Sequence, residues 1–398
     1  MAKVKLYRNL SEAVVALLEA VLEQNLYADK IIEKTFKNHP QWGSRDRRFV
    51  AETTYDIIRW CRLLGVVADA RDGDYWKLLG AWLVYKNIAI PKWPEFALID
   101  ERMIKTNFEQ DYPLKIKESI PDWLDEIGYA ELGPRWGKEL HALNQQAPVA
   151  LRVNRLKGDR ANIQQRLQEE GISTIAPDGF PEALVLAQRR PIFKTKAFKS
   201  GLFEVQDVGS QQIAPFLRVA PGMRVIDACA GAGGKTLHLA TLMQNKGKII
   251  AMDTEDWKLE ELKKRARRAG ASNIEARAIS GTKAIKRMAN SADRLLLDAP
   301  CSGLGVLKRN PDAKWKLSVQ FLNQVRDSQR KILEGYAAML KPGGLMVYAT
   351  CSVLPSENEG QVSGFLSLQK GAYELLEEKH IWPSEGYDGF YMALIKKN

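Results

Sequence analysis

The stretch RVIDACAGAGGKT, residues 224–236, has the character of a buried strand, a glycine-rich turn and the start of a helix. A phosphate-binding loop of the nucleoside triphosphatase type would need a glycine where this stretch has Cys229. The dinucleotide pattern G-x-G-x-x-G fits Gly231 and Gly233, but Thr236 stands at the third glycine position. Both identifications fail, so the remaining G-x-G-G pattern has to be interpreted from its surroundings.

The chain after Gln206 alternates apolar runs with helical stretches. The runs are RVIDAC, KIIAMD, DRLLLDAP and GLMVYAT. Continuous apolar character is typical of parallel strands that are buried on both faces. The alternation therefore predicts a doubly wound α/β domain, residues 205–398, whose ligand lies at the carboxyl ends of the strands.

Two further domains are predicted before this sheet. Residues 1–140 have helical periodicity, most clearly in RDRRFVAETTYDIIRWCRLLG, with Ser44 as the predicted N-cap. Residues 146–204 contain the short strands ALRVN and EALVLA on either side of the helix ANIQQRLQEEGI, which predicts a small α+β unit. Ten Lys and Arg against five Asp and Glu between Arg152 and Lys199 suit contact with an RNA backbone.

The composition is that of an ordinary globular protein with a polyanionic partner. Hydrophobic residues make up 45% and charged residues 27% of the chain, and the longest apolar stretch, residues 78–85, is too short to cross a membrane. The N-terminal lysines are followed by no apolar segment, so we expect a cytoplasmic protein. The formal net charge of +11 favours a nucleic acid partner.

Cysteine and histidine usage predicts neither disulfides nor a metal site. The four cysteines have no C-x-x-C spacing, and the four histidines lie far apart in the sequence. Asp253 ends the strand after the glycine-rich loop, where it is expected to bind ribose hydroxyls. An adenosine group fits this position. Because NAD and S-adenosylmethionine both contain adenosine, Asp253 does not distinguish between these two cofactors. Lys235, at the helix start, either contacts a ligand carboxylate or faces solvent.

Two cysteines follow adjacent predicted strands, Cys301 in DAPCSG and Cys351 in TCS. Both thiols should project into the cofactor cleft, and the nearby cations Lys308, Arg309 and Lys314 could lower a thiol pKa. Carbon 5 of cytosine is too weak a nucleophile to attack a methyl sulfonium, but addition of a thiolate to carbon 6 activates it. The adduct must later lose a proton, which leaves room for a second acid or base.

Three segments resemble one family, the Sun/Nop RNA cytosine-5 methyltransferases: IDACAGAGGKT, LLLDAPCSGLGVLKRNPDAKW and YATCSVLPSENE. FEVQDVGSQQ and LRVNRLK also match, so the resemblance spans residues 148–398. It implies a Rossmann-like class I methyltransferase domain, formation of 5-methylcytosine, Cys351 as nucleophile, Cys301 assisting proton removal or product release, and Asp298 contacting the base. It also implies that S-adenosylmethionine is held by Asp253, with Lys235 nearby, and by the backbone of Ala228, Cys229, Ala230, Gly231, Ala232, Gly233 and Gly234.

The chain departs from the family pattern at two places. Gly231-Ala232 replaces the usual Ala-Pro in the loop. Ser280 stands where the family carries an aspartate near the adenine. Ser280 is therefore the candidate for this cofactor contact, and its replacement of an aspartate bears on the affinity for the cofactor.

The helical region resembles, through SRDRRFVAETTYDIIRW, the NusB-like domain of the bacterial RsmB-type branch that modifies small-subunit rRNA. The small unit before the sheet is expected to be RRM-like. This makes rRNA the leading substrate of a monomeric enzyme. The predicted phosphate contacts are Lys308, Arg309, Lys314, Lys316, Arg152 and Arg155.

Three alternatives remain open. One is a tRNA cytosine-5 methyltransferase. Another is a catalytically inactive RNA-binding or ribosome assembly factor, which would fit Ser280 but would need neither Cys301 nor Cys351. The third is an NAD-dependent dehydrogenase, which is disfavoured by Thr236 and leaves the cysteine pair unexplained.

Overall fold

The computed structural model describes residues 6–398, which divide into two compact units. The first contains the chain up to Gln145 together with Leu307–Ser318, and the second contains Gln146–Val306 and Val319–Asn398. Among the described residues no helix combines the length and the apolar character that a membrane span requires.

The first unit is helical. Its core is formed by buried aliphatic side chains such as Val14, Leu18, Ile57 and Leu83, which recur at helical spacing. Its helices are α1 (Arg8–Leu22), α2 (Ala28–Asn38), α3 (Ser44–Arg59), α4 (Cys61–Val67), α5 (Tyr75–Tyr85), α6 (Glu101–Phe108), α7 (Leu114–Lys117), α8 (Asp122–Leu132), α9 (Arg135–Leu143) and, from the later segment, α16 (Ala313–Lys316).

The predicted long helix after Ser44 is two helices, α3 and α4. The cap is Gly43, whose N–H donates to the Asp46 carboxylate at 3.1 Å. The helix breaks at Trp60, because side chains of the segment Leu307–Ser318 donate hydrogen bonds to carbonyl groups in the last turn of α3. Lys314 Nζ donates to the Arg59 carbonyl at 2.8 Å, and Trp315 Nε1 donates to the Ile58 carbonyl at 2.8 Å.

The second unit begins with a four-stranded antiparallel sheet in the order β2-β3-β1-β4. Leu151, Leu184 and Phe203 of this sheet pack against Ile163 and Leu167 of α10. The two-residue strand β2, which the sequence did not predict, is too short to show a pattern. The elements are β1 (Ala150–Val153), α10 (Arg160–Glu169), β2 (Thr174–Ile175), β3 (Ala183–Leu186), α11 (Lys196–Lys199) and β4 (Phe203–Val205).

A seven-stranded sheet in the order β10-β11-β9-β8-β5-β6-β7 follows in the same unit. Its strands are β5 (Arg224–Asp227), β6 (Lys248–Asp253), β7 (Ile274–Ala278), β8 (Ala292–Asp298), β9 (Leu340–Thr350), β10 (Tyr373–Ile381) and β11 (Phe390–Lys397). The helices beside it are α12 (Ile213–Phe216), α13 (Gly234–Leu242), α14 (Asp256–Ala269), α15 (Thr282–Lys286), α17 (Val319–Tyr336) and α18 (Glu359–Leu368).

The strand order confirms the predicted doubly wound α/β fold. β5 pairs in parallel with β6 on one side and with β8 on the other, so the chain reverses its direction of winding at β5. In such sheets the ligand crevice lies outside the carboxyl ends of the strands at this point. The glycine-rich loop follows β5, and the two cysteine loops follow β8 and β9.

Candidate active site

The loop between β5 and α13 is held in one conformation by its glycines and by Asp253. Gly233 has φ +85°, and a Cβ there would lie 2.6 Å from Leu262 Cγ, so only glycine fits. The N–H of Gly231 donates to Asp253 Oδ2 at 2.8 Å. Asp253 thus supports the loop from the end of β6.

The surface of this loop has room for a ligand. A Cβ added at Gly231 or at Gly234 would meet no atom within 4 Å, apart from chain neighbours and the helix's own backbone. Gly234 begins α13, and the first N–H groups of a helix are suited to binding a carboxylate or phosphate. Open backbone, a helix start and a carboxylate beside it fit an amino acid nucleoside such as S-adenosylmethionine.

Asp227, at the end of β5, is a buried acid to which the sequence analysis gave no role. Burial raises the pKa of its carboxyl to about 7, although Thr236 Oγ1 donates a hydrogen bond to Oδ2 at 2.7 Å. Within the described part of the chain, Oδ1 is buried without a hydrogen-bond partner. Its signal in the sequence is an acid directly before the glycine-rich loop.

Ser280 lies at the same edge of the sheet, two residues after β7 ends. The preceding residue, Ile279, donates its N–H to the carbonyl of Asp253 at 2.9 Å, which holds this segment beside β6. Ser280 itself is exposed. The structure therefore places Ser280 near Asp253, at the edge where the sequence predicted a cofactor contact.

The two cysteines meet at the carboxyl ends of β8 and β9, which are neighbouring parallel strands. Cys301 Sγ lies 3.2 Å from Cys351 Sγ. This separation is well beyond the ~2.05 Å of a disulfide, so the two residues are thiols in hydrogen-bond contact. The predicted convergence of these two loops is present in the structure.

The contact with Cys351, together with burial, raises the pKa of Cys301 well above its ordinary value. Burial also raises the pKa of Cys229 well above its ordinary value, which fits a packing role for that side chain.

Glu357 joins the two cysteine loops and was not singled out from the sequence. Its side chain is fully buried. One oxygen accepts from Ser302 Oγ and from Ser352 Oγ, both at 2.5 Å, and the other accepts from the Ser302 N–H at 2.8 Å and from Gln329 Nε2 at 3.0 Å. A single carboxylate thus sets the relative positions of Cys301 and Cys351.

Lys235 and Asp298 form an ion pair beside the cysteines. Lys235 Nζ lies 2.5 Å from Asp298 Oδ2, and the lysine side chain is only 13% exposed. Burial by itself would lower the pKa of Lys235, but the charge of Asp298 outweighs burial and raises it, and Cys351 contributes in the same direction. The cation that interacts with the Cys351 sulfur is therefore Lys235.

The predicted phosphate contacts need correction. Arg152, Lys308 and Lys314 are at most 4% exposed, so they cannot reach a phosphate in this structure. Arg152 donates to Gln206 and to the Gly234 carbonyl. Lys308 and Lys314 belong to the first unit, and burial lowers the pKa of Lys314 to about 7.

The remaining candidates differ in exposure. Lys316 is largely buried and contacts the Val21 carbonyl at 3.3 Å and Asp312 at 3.6 Å. Arg309 is half-buried. The side chain of Arg155 is 60% exposed, 3.9 Å from Glu182, and remains suitable for phosphate contact.

Comparisons with known proteins point to one family of methyltransferases. A family model described as 16S rRNA methyltransferase RsmB/F matches residues 214–396, and a model of the ferredoxin-like domain of RsmF/B-like methyltransferases matches residues 120–193. A probable ribosomal RNA small subunit methyltransferase B of Synechocystis is 29% identical, and the alignment covers 96% of this chain and 98% of that protein.

Two further similarities differ in extent. The ribosomal RNA small subunit methyltransferase B of Pasteurella multocida is 36% identical over 70% of this chain, and the matched part spans 65% of that relative's length. The crystal structure of the protein PH0851 is similar with a TM-score of 0.82 and 25% identity, over 99% of this chain and 100% of that one.

Proposed function

Because the chain belongs to the RsmB/F family of S-adenosylmethionine-dependent RNA methyltransferases, we propose that it methylates carbon 5 of a cytosine in small-subunit ribosomal RNA. The observation that carries the chemistry is the 3.2 Å contact between the thiols of Cys301 and Cys351, beside the Lys235–Asp298 ion pair. The small-subunit rRNA substrate is proposed from the names of the relatives.

Cys351 is proposed as the nucleophile. Its thiolate, stabilised by the Lys235 ammonium, bonds to carbon 6 of the base. The electron pair of the carbon 5–carbon 6 double bond then moves through carbon 5 and carbon 4 towards nitrogen 3 of the ring. Carbon 5 becomes enamine-like and would take the methyl group that S-adenosylmethionine supplies, with the methyl–sulfur bond broken and its electron pair left on the sulfur of the departing thioether. Loss of the carbon 5 proton to a base then restores the double bond and expels the Cys351 sulfur as a thiolate.

Cys301 and Asp298 are proposed to assist these steps. The Cys301 sulfur lies 3.2 Å from the Cys351 sulfur before the attack. Once Cys351 has bonded to carbon, Cys301 is placed to help the loss of the carbon 5 proton and the release of the product. Asp298 is placed to accept a hydrogen bond from the amino group of the base.

The cofactor is proposed to lie on the loop after β5. The open backbone at Gly231 and Gly234 and the carboxylate of Asp253 would hold it, with Ser280 at the same edge. The target base must leave its stack to reach two half-buried thiols, so an unpaired or partly unfolded RNA segment is the expected substrate. We place the activity in the cytoplasm and in a single chain, which supplies all of these residues.

Bisulfite sequencing of total RNA, with and without the gene, tests the proposal. We expect one cytosine of the small-subunit rRNA to lose its protection from conversion when the gene is absent, and to regain it with the wild-type gene but not with Cys351→Ala. A change confined to tRNA, or no change at any cytosine, would contradict the proposed substrate or the proposed reaction.

A further inference from the structure

We infer that the small α+β unit is part of the cofactor site, because Arg152 of this unit donates to the backbone of the cofactor loop, and Glu204 of this unit holds Arg265, which donates to the same loop. The inference rests on the proposed function in so far as residues 231–234 are the cofactor loop. The residues concerned are Arg152, Glu204 and Arg265, here called the loop clamp.

Arg265, on α14, connects the small sheet to the loop. Its Nη1 donates to the Ala232 carbonyl at 2.8 Å, while Nη2 and Nε donate to Glu204 Oε2 at 2.9 and 3.2 Å. Glu204 lies on β4, and its side chain is only 4% exposed. The planar guanidinium can bind both partners at once because its donors point in different fixed directions.

Arg152, on β1, reaches the other end of the loop. Its Nη1 donates to the Gly234 carbonyl at 2.6 Å and also to Gln206. Burial lowers the pKa of Arg152 to about 10, so the guanidinium is still charged at neutral pH. A buried charge of this kind is retained only where its partners are well placed, and one of those partners is the cofactor loop.

A further contact holds the helix that follows the loop. Glu182, directly before β3, has Oε2 2.7 Å from Nε2 of His238 on α13, and both side chains are buried. Together with the loop clamp, this contact connects the small unit to the loop and to the first turns of α13.

The loop clamp determines which way the loop presents its backbone. The C=O and N–H of a peptide unit point in opposite directions, so holding the Gly234 carbonyl on the Arg152 side turns the N–H of Lys235 away from it. Backbone donors that are fixed before a ligand arrives bind it without further loss of conformational freedom. The small unit should therefore raise affinity for S-adenosylmethionine even when no RNA is present.

The substitution Arg265→Lys tests the inference, with Arg268→Lys as a matched control. Both arginines lie on α14 and bind Glu204. Arg268 Nη2 donates to Glu204 Oε1 at 2.6 Å, but of the two arginines only Arg265 also contacts the loop. A lysine keeps the charge and cannot bridge two partners in the same way. Calorimetry without RNA should show about tenfold weaker binding of S-adenosylmethionine for Arg265→Lys, the loss expected for ~1.4 kcal/mol.

Steady-state kinetics separate a positioning role from a general loss of fold. For Arg265→Lys we expect a raised KM for S-adenosylmethionine, with kcat at saturating cofactor and KM for RNA within about twofold of wild type. Arg268→Lys should bind S-adenosylmethionine as wild type does. If Arg265→Lys does not fold, Glu204→Gln takes its place, because it weakens the tether of Arg265 without changing the shape of the side chain.

Two results would overturn the loop clamp. One is wild-type affinity for S-adenosylmethionine in Arg265→Lys and Glu204→Gln. The other is equal weakening in Arg265→Lys and Arg268→Lys, which would mean that only the docking of α14 matters. Failure of the proposed function is distinguishable, because it would appear as a wild-type protein that binds S-adenosylmethionine but does not methylate RNA.

Discussion

Cys301 and Cys351 have the same side chain but different surroundings. Contact with Cys351 and burial raise the pKa of Cys301 well above its ordinary value, whereas the Lys235 ammonium interacts with the Cys351 sulfur. Only the thiolate form of cysteine is nucleophilic, and a nearby cation favours that form, so Cys351 is the better placed nucleophile. Two cysteines at strand ends could be recognised in the sequence, but which of them lies beside the cation could not.

Cys351→Ala should lower methyl transfer by at least about 10³-fold, because the substitution removes the attacking sulfur atom. RNA binding should stay within about twofold of wild type, because no phosphate contact is lost. Incorporation of labelled methyl groups and filter binding of RNA measure the two properties. Cys61 is partly buried against the core of the helical unit, and Cys61→Ala should leave turnover per folded molecule unchanged. Residual turnover above a few per cent in Cys351→Ala would contradict the role of Cys351.

Asp227 gives the protein a pH-dependent stability. Its pKa of about 7 in the folded state lies above the 3.8 of an unperturbed aspartate, so between these values the folded state binds more protons than the unfolded state. The contribution of this group is fully present below about pH 4 and is lost as the pH rises through 7. Asp227→Asn removes this dependence.

We therefore expect the wild-type melting temperature to fall more steeply between pH 5 and 8 than that of Asp227→Asn. Thermal unfolding at constant ionic strength, compared as the difference between the two proteins at each pH, measures the effect. Parallel curves would show that Asp227 does not carry a proton in the folded protein at pH 5.

At the scale of elements, the site depends on two loops that follow neighbouring strands and are joined by one acid. Glu357 accepts hydrogen bonds from both loops and from Gln329 of α17. Alternating apolar runs predicted these strands, because buried parallel strands need continuous apolar sequence. The role of Glu357 could not be predicted, because a glutamate in a loop usually faces solvent and nothing local indicates its burial.

Glu357→Gln should lower kcat by about 10- to 100-fold, with little change in affinity for S-adenosylmethionine. The amide presents one acceptor oxygen instead of two, so the side chain keeps either the Ser302 and Ser352 hydroxyl contacts that join the two loops or the contacts with the Ser302 N–H and Gln329, but not both sets. Glu359→Gln is the matched control, since Glu359 lies two residues further along and contacts His380 at 2.7 Å. Wild-type kcat in Glu357→Gln would show that the distance between the thiols does not depend on this carboxylate.

The segment Leu307–Ser318 shows why a basic run can mislead. Its lysines suggested a phosphate-binding surface, because long charged side chains are normally exposed. Instead Lys314 is 1% exposed and donates to the Arg59 carbonyl and to Asn144 Oδ1 of the helical unit. The carbonyl groups that accept these bonds come from residues more than 150 positions away, so no local pattern reveals them.

At the scale of the whole molecule, the sequence predicted the main secondary-structure elements but not which segments make up each compact unit. The switch from helical periodicity to short strands near Ala150 and the alternation after Gln206 predicted the main elements. The twelve residues after Val306 belong to the first unit, although nothing in their composition indicates this. Arg152 likewise was predicted as a phosphate contact because it is an arginine in a basic segment. In the structure it is buried and donates to the Gly234 carbonyl of the cofactor loop.

Arg155→Ala should weaken RNA binding several-fold and make it less dependent on salt, since each phosphate contact contributes about 0.7 to 0.9 to the slope of log Kd against log salt. Arg155 was predicted as a phosphate contact together with Arg152, and its side chain is 60% exposed. Binding titrations at four or five salt concentrations measure the slope. An unchanged slope would exclude a phosphate contact at this residue.

The most direct test of the account is to trap the covalent intermediate. With Cys301→Ala, S-adenosylmethionine and substrate RNA, loss of the release step should produce a slowly migrating, nuclease-sensitive band on a denaturing gel. Peptide mass spectrometry of that band should locate a methylated cytidine nucleotide on Cys351. A nucleotide attached elsewhere, or no adduct from a variant that binds both RNA and S-adenosylmethionine, would contradict attack by Cys351 with release assisted by Cys301.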